Sequence, residues 1–237
     1  MSSPTKLTKR IQYIDFWRGI AIILMVIYHY FCLLDLKNQT TYIHNPLLII
    51  IGYIARFIFI FLLGYSFNLS KRKNNNKLKF DYFRRVGILF IYAMMMSFLS
   101  YITPTIGDKM YVRFGILHFM SISLFLLIIL SVNLFLALSI GFITVISYFI
   151  IYNKQTNNPL LSVIGFKPNY STVDHFPLFK WFWLCTIGYT ISYFRNDQNK
   201  KQIKNVIYKG IAGIGKWSLE IYVVHFPILY IIQHLLH

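Results

Sequence analysis

Long apolar runs, separated by short polar segments, fill almost the whole of this 237-residue chain. A helix that crosses a membrane needs about 20 predominantly apolar residues. By that rule the pattern predicts helices at residues 16–36, 46–69, 82–102, 112–131, 133–152, 176–195 and 217–236. We expect residues 203–214 to form a short amphipathic or re-entrant piece before the last span. The prediction is therefore an all-α integral membrane protein, a bundle of about seven transmembrane helices in a single domain over residues 1–237.

Only Ser131, Val132 and Asn133 separate the fourth and fifth apolar runs. Without a break, the two runs would form a segment that is too long for one crossing. We therefore predict a tight turn at these residues, which gives the count of seven spans.

The composition agrees with a membrane location. Charged residues make up 13% of the chain, about half of their usual share in soluble domains. Lys and Arg together number 24, against 7 Asp and Glu. Nucleic acid is nevertheless not expected as a partner, because these basic residues lie in short loops between apolar runs, where they face the headgroups of anionic lipids.

The distribution of basic residues predicts the orientation. With the N-terminus in the cytoplasm, 17 of the 24 basic residues lie in cytoplasmic segments and six in external segments, while Arg56 lies within the second span. Cytoplasmic loops of membrane proteins carry an excess of Lys and Arg. We therefore predict a multi-pass protein with a cytoplasmic N-terminus and an external C-terminus.

The cytoplasmic loop after the second span begins with the basic segment KRKNNNK at residues 71–77. Its charge is consistent with an anchor on anionic lipid. It is also consistent with a site that helps to hold the phosphates of a nucleotide-bearing donor. Both interpretations stay open at this point.

The first span contains three ionisable residues, Asp15, Arg18 and His29. Asp15 and Arg18 are three positions apart and can pair on one face of a helix. His29 follows Arg18 by eleven positions, about three helical turns, so the two side chains project toward nearly the same face. Ionisable groups inside a span are costly and mark functional sites, although a lone buried histidine is also a common structural residue.

Further ionisable residues lie in or next to other predicted spans. They are Arg56 in the second span, His118 near the start of the fourth, Asp174 and His175 at the start of the sixth, and Glu220 and His225 in the last. An arginine in a span needs a partner, an aqueous cavity or an anionic ligand. Five helices thus contribute polar groups that lipid would reject, which predicts a polar cavity inside the bundle. Most of these groups lie toward the external half, so we expect the cavity to open or extend there.

These residue types suit acyl transfer. A neutral histidine can accept a proton from an attacking amine or hydroxyl, and arginine or asparagine can stabilise the oxyanion that forms on a thioester carbonyl. A metal site is not expected, because none of the seven histidines has an HxxxH or HExxH spacing within a span.

Five blocks of sequence follow one another along the chain. They are RIQYIDFWRGIAIILMVIYH at residues 10–29, FLLGYS at 61–66, FGILHF at 114–119, DHFPLFKW at 174–181 followed by Gly188-Tyr189, and WSLEIYVVHFP at 217–227. In this order, the blocks resemble the signature blocks of the heparan-α-glucosaminide N-acetyltransferase catalytic-domain family. The resemblance covers about residues 10–230, essentially the whole chain.

The resemblance implies transfer of an acyl group, in the first instance acetyl from acetyl-CoA, to an amine or hydroxyl of a sugar or glycan across the membrane. The spacing of Arg18 and His29 also resembles a motif of the broader membrane acyltransferases that acylate cell-surface sugars, in which the histidine is taken as catalytic. This implies that His29 is the general base or, alternatively, the acyl-carrying nucleophile. The other implied roles are donor binding by Asp15, Arg18, Arg56 and His118, and lining of the substrate cavity by Asp174, His175, Glu220 and His225.

The lysosomal branch of this family differs from the chain at one important position. It has an asparagine where this sequence has His29, and its proposed catalytic histidine lies in the following external loop, where His44 is the nearest counterpart. His29 and His44 are therefore both candidates, and we favour His29. The lysosomal enzyme also has further helices and a luminal domain that are missing here, so the resemblance supports the chemistry and leaves the identity of the acceptor, heparan included, open.

An alternative hypothesis is a transporter or flippase that uses the same polar cavity for a lipid or sugar without acyl-transfer chemistry. The Arg18 and His29 pair, together with the FGILHF block, favours the acyltransferase, since transport alone does not explain them. The expected partners are membrane lipids and the sugar or glycan acceptor, and a homodimer is left open.

Overall fold

The computed structural model describes residues 11–38, 41–73, 78–102, 111–131, 133–172, 174–195 and 205–235. Within these residues, nine α-helices form: α1 Gln12–Asn38, α2 Pro46–Lys73, α3 Leu78–Ile102, α4 Ile116–Leu130, α5 Leu134–Ile151, α6 Pro159–Ile164, α7 Leu178–Phe194, α8 Val206–Lys216 and α9 Ser218–Leu235. A 3₁₀ turn, Tyr42–His44, precedes α2. Two strands of two residues each, β1 Gln155–Thr156 and β2 Lys167–Pro168, flank α6 and pair in parallel.

A helix lies at each of the seven predicted spans, namely α1 to α5, α7 and α9. The predicted all-α class is thus confirmed for the described residues. Four helices contain segments that are long and apolar enough to cross a membrane, and these segments are Gln12–Asp35, Pro46–Arg72, Phe80–Ile102 and Leu134–Ile151. Two more apolar helices are shorter, at Ile116–Leu130 and Ser218–Ile232. The count of seven crossings and the cytoplasmic N-terminus stay predictions.

The predicted break between the fourth and fifth runs is confirmed. Helix α4 ends at Leu130 and α5 begins at Leu134. The side chain of Asn133 accepts a hydrogen bond of 2.9 Å from the backbone N–H of Phe135, which is the usual way in which asparagine caps a helix start. The predicted amphipathic piece is also a helix, α8, which packs along α1; residues 203 and 204 of that prediction lie outside the described residues.

Glycines allow three pairs of helices to approach closely. They are Gly64 and Gly188 where α2 meets α7, Gly19 and Gly215 where α1 meets α8, and Gly141 where α5 meets α7. A Cβ atom added at any of them would overlap atoms of the facing helix. Small residues of this kind let helix backbones pack against each other in lipid, where the hydrophobic effect does not drive helices together. These contacts fix the frame around which α3, α4 and α9 are arranged.

The connection from α5 to α7 places two predicted site residues. After β2, the backbone N–H of Phe176 donates a hydrogen bond of 3.0 Å to the carbonyl of Phe114. This bond ties the segment before α7 to the segment before α4. Asp174 and His175 are therefore held close to the first turn of α4.

Two basic residues at the end of α2 bind carbonyl groups of neighbouring helices. Lys71 donates to the carbonyl of Ser131, directly after α4. Arg72 donates to the carbonyls of Tyr193 and Arg195 at the end of α7. Cations stabilise the C-terminal ends of helices, so these two residues of the basic segment 71–77 have a packing role, whereas residues 74–77 lie outside the described residues.

Candidate functional site

A cavity of about 450 Å³ lies inside the bundle, between α1, α2, α3, α4 and α9. Its walls are mainly apolar and aromatic, and its polar lining residues are Arg18, Ser66, Arg85, Lys216, Ser218 and Glu220. Arg85, Lys216 and Glu220 are exposed, so this end of the cavity meets solvent. We call it the basic end. The volume of the whole cavity lies within the range of small-molecule sites.

A second, small cavity of about 40 Å³ adjoins the first. Four predicted site residues line it: His29, His118, Asp174 and His225. Ile116, Leu117 and Tyr222 line both cavities, so these side chains form the wall between them. The small cavity therefore brings together ionisable groups from four separate parts of the chain, although its walls are mainly apolar.

The large cavity does not extend toward the end of the bundle where the sequence predicts an opening. It extends toward the opposite end. Asp174 and the histidines lie at the small cavity, whereas the large cavity reaches the basic end. Two basic residues lie at this end, Arg85 and Lys216, which the charge distribution along the sequence identified only as determinants of orientation. Both line the cavity, and their solvated charges keep its mouth polar.

His29 and His225 form the central contact of the small cavity, although 196 positions separate them. His29 Nδ1 and His225 Nε2 are 3.0 Å apart, and the two rings stack with their centroids 5.0 Å apart. His225 Nδ1 lies 2.5 Å from the carbonyl oxygen of Tyr222, almost one turn earlier in α9. The contact occupies Nδ1 of His29, which leaves Nε2 as the nitrogen available to a substrate.

Asp174 is held in the connection before α7. Its carboxylate accepts a hydrogen bond of 3.5 Å from the backbone N–H of Ile116, at the start of α4, and it interacts electrostatically with the side chain of Tyr222. Burial raises the pKa of the Asp174 carboxyl above its ordinary value, and the nearby charge of Arg56 partly opposes this rise. The carboxyl thus lies between a helix N-terminus and a cation, both of which favour a negative charge.

Three aromatic rings lie next to the guanidinium group of Arg56, within α2. Its guanidinium carbon lies 5.3 Å from the ring centroid of Tyr28, 5.5 Å from that of Tyr53 and 5.6 Å from that of Phe176. These distances are typical of cation–π interactions. Together with the electrostatic interaction with Asp174, the rings supply the partners that the sequence analysis required. Arg56 does not line either cavity, so direct donor binding is not supported by its position.

Arg18 links α1 to α2 at the large cavity. Its Nη1 lies 3.4 Å from Asp15 Oδ1, and its Nη2 donates a hydrogen bond of 2.8 Å to Ser66 Oγ. The predicted pairing of Asp15 and Arg18 on one helix face is therefore confirmed. Asp15 is buried and orients Arg18 without lining the cavity itself.

The remaining predicted residues are dispersed. His118 lines the small cavity, and its Nε2 lies 3.5 Å from Ser97 Oγ. Glu220 belongs to the large cavity. His44 is exposed in the 3₁₀ turn before α2 and, like His175, lines neither cavity. Burial lowers the pKa of His175 below its ordinary value, which favours the neutral imidazole.

Three residues with a place in the site were missed by the sequence analysis. Tyr222 lines both cavities, and Arg85 and Lys216 line the large one. Tyr222 could have been found, since it lies three positions before His225 in the last sequence block and shares its helix face. Among the described residues, no group of three or more His, Cys, Asp or Glu side chains is arranged to hold a metal ion.

Comparison with known proteins adds a match over nearly the whole chain. A family model described as "Heparan-alpha-glucosaminide N-acetyltransferase, catalytic" matches residues 10–227. No curated protein and no solved structure matches the chain. The matched range contains every residue that lines the two cavities.

Proposed function

The chain belongs to the heparan-alpha-glucosaminide N-acetyltransferase catalytic family, and on that premise we propose that it transfers acetyl from acetyl-CoA to an amine or hydroxyl of a sugar or glycan. Family membership makes it a membrane acetyltransferase; the donor, the acceptor and the residue roles are proposals. The observation that carries them is the position of His29, just beyond the inner wall of a cavity of about 450 Å³ whose mouth is basic.

The basic end is proposed to bind the donor. Coenzyme A carries several phosphate groups and a long arm, in which methylene and methyl groups alternate with two amides and a hydroxyl, that ends in the thioester. Arg18, Arg85 and Lys216 line the cavity mouth and supply donors for phosphate oxygens. The apolar and aromatic walls suit the arm, which would extend toward His29 past Ile116, Leu117 and Tyr222.

His29 is proposed to be the general base. Its Nε2 accepts a proton from the attacking amine or hydroxyl while the nitrogen or oxygen of that group adds to the thioester carbonyl carbon. The tetrahedral intermediate then collapses with cleavage of the carbon–sulfur bond, and the departing thiolate takes the proton from His29. The first turn of α4 lines the small cavity through Ile116 and Leu117, and its partial positive charge favours the oxyanion.

The acceptor is proposed to approach His29 from the side of Asp174. The Asp174 carboxylate lies at the small cavity and would interact favourably with an amine. A cavity of about 40 Å³ cannot hold a sugar, so acceptor binding requires side chains such as Val112 and Phe226 to move apart. His44 is exposed and lines neither cavity, which supports His29 over His44.

The test is acceptor-dependent cleavage of the acetyl-CoA thioester by the purified protein in lipid nanodiscs. Amino sugars are compared with their N-acetylated forms, whose amine is blocked. Loss of a general base lowers the rate by about 10²–10⁴-fold, so we expect His29→Gln to lower kcat by roughly 10³-fold. His44→Gln is the matched control and should keep nearly full activity. Acetyl-CoA should raise the unfolding temperature of both variants, because it binds the folded state.

Two outcomes would contradict this proposal in different ways. Loss of activity in His44→Gln alone would move the chemistry to the turn before α2. A wild-type protein that neither cleaves acetyl-CoA nor is stabilised by it would refute the donor assignment and favour the transporter hypothesis.

A further inference from the structure

A chain of two hydrogen bonds runs from the backbone of α9 through His225 to His29. The carbonyl oxygen of Tyr222 can only accept, so His225 Nδ1, 2.5 Å away, carries a proton. A neutral imidazole has one N–H group, so His225 Nε2 is then an acceptor. His29 Nδ1, 3.0 Å from that nitrogen, must therefore be the donor.

The direction of this chain depends on both imidazoles being neutral, which their surroundings favour. His225 is 5% exposed, and its ring stacks on that of His29. Arg56 already interacts electrostatically with His29. A second cation at this buried place would be costly, and the acidic group of Asp174, which lines the same cavity, already interacts with Arg56 and Tyr222.

We propose that His225 is a positioning residue that fixes the tautomer of His29, with the proton on Nδ1 and the lone pair on Nε2. The inference deepens the proposed function and rests on it, because only a base at His29 makes the tautomer matter for the rate. Which nitrogen of a histidine is protonated is set by the hydrogen bond that the other nitrogen makes. Here that bond comes from a ring 196 positions away in the sequence.

The consequence concerns the nitrogen that faces the substrate. Without an acceptor at His225, the proton of His29 can move to Nε2, and the ring loses the hydrogen bond between Nδ1 and His225 Nε2 that orients it. In that tautomer, Nε2 of His29 has no lone pair that could take the proton of the attacking amine or hydroxyl. The reaction would then be slowed at its proton-transfer step, while donor binding in the large cavity would be unaffected, since His225 does not line that cavity.

The kinetic test compares two nearly isosteric variants. In His225→Gln, the side-chain carbonyl oxygen can still accept from His29 Nδ1. In His225→Met, the side chain has a similar length but only a weak acceptor. We expect His225→Met to lower kcat by about 100-fold with the KM for acetyl-CoA within about twofold. His225→Gln should recover at least tenfold of that loss. An equal loss in both variants, or a loss confined to KM, would overturn the inference.

The tautomer can also be measured without turnover. In ¹⁵N-histidine-labelled protein in nanodiscs, the His29 signals are those missing from His29→Gln. We expect a protonated Nδ1 and an unprotonated Nε2 in the wild type, and a protonated or exchanging Nε2 in His225→Met. A protonated Nε2 on His29 of the wild type would overturn the inference even in an active enzyme. If the wild type shows the expected tautomer but cleaves no thioester, the result supports the role of His225 in fixing the tautomer of His29. The same result refutes the proposed function.

Discussion

Asp174 combines an uncommon backbone conformation with a buried carboxyl group. Its φ of 57° lies in the left-handed region, which Asp and Asn tolerate better than other residues with a Cβ. Its carboxylate also accepts a hydrogen bond from the N–H of Ile116. We expect Asp174→Ala to lower the free energy of unfolding by about 2 kcal/mol more than Asp174→Asn, which retains both a tolerant backbone and a polar side chain. Denaturant unfolding in detergent measures this difference, and equal losses would contradict the conformational argument.

The same carboxyl predicts a pH dependence of stability. Burial raises its pKa above the ordinary value of 3.8, with Arg56 opposing the rise. Between the unfolded and folded pKa values, the folded protein binds more protons at this group than the unfolded chain does. Its contribution to stability therefore falls as pH rises through that interval and is constant above it. The free energy of unfolding of the wild type minus that of Asp174→Asn should decrease from about pH 4 upward; an increase would mean that Arg56 outweighs burial.

What the sequence reveals at the residue scale depends on separation along the chain. The pairing of Asp15 with Arg18 follows from a spacing of three positions on one helix, and the structure contains this ion pair. The contact between His29 and His225 does not follow from any local pattern, because the order in which the helices pack decides it. Sequence could therefore nominate both histidines but not join them.

Helix packing at glycine provides a test at the scale of elements. A Cβ at Gly188 would overlap the backbone carbonyl of Phe61 on α2, whereas a Cβ at Gly87 on α3 would meet open space. Backbone cannot move aside cheaply, so we expect Gly188→Ala to lower the free energy of unfolding by about 2–3 kcal/mol. Gly87→Ala should be neutral or stabilising by up to about 1 kcal/mol, since alanine favours helix. Thermal unfolding of the two variants in the same detergent checks this, and equal effects would argue against close packing of α2 and α7.

The start of α3 supplies a test of the basic end. Arg85 lines the large cavity, whereas its exposed neighbour Arg84 does not. A charged contact with phosphate at a solvated site is screened, so we expect Arg85→Gln to raise the KM for acetyl-CoA by about threefold to tenfold with little change in kcat. Arg84→Gln removes the same charge from the next position and should leave KM unchanged at 150 mM salt, roughly physiological ionic strength. Equal increases in both variants would indicate a general field instead of a contact.

At this scale the sequence was most informative about helix positions and least informative about the space between them. Apolar length alone located α1, α2, α3 and α5, because lipid requires about 20 apolar residues of any spanning helix. Cavities are formed where packing is incomplete, and no linear pattern reports that. Arg85 and Lys216 illustrate the limit, since their positions near helix ends explain them equally well as orientation signals.

Considered as a whole, the molecule divides its polar residues between two levels of one bundle. Arg18 and Glu220 belong to the large cavity, whereas His118, Asp174 and His225 belong to the small one with His29. A reaction between a donor from one side of a membrane and an acceptor from the other needs such a division. In the proposed reaction, the thioester end of the donor arm reaches past Ile116, Leu117 and Tyr222 to His29, while the rest of the donor stays in the large cavity.

This division makes a prediction about orientation. If the N-terminus is cytoplasmic, the basic end faces the cytoplasm and Asn157, in the connection between α5 and α7, faces outward. We expect Asn157→Cys, in a chain whose two cysteines, Cys32 and Cys185, are replaced by alanine, to react with a membrane-impermeant maleimide in intact cells. Asn205, directly before α8, is also exposed. Asn205→Cys in the same background should react only after the cells are permeabilised. The reverse pattern would turn the basic end outward, away from cytoplasmic coenzyme A, and would overturn the donor assignment together with the orientation.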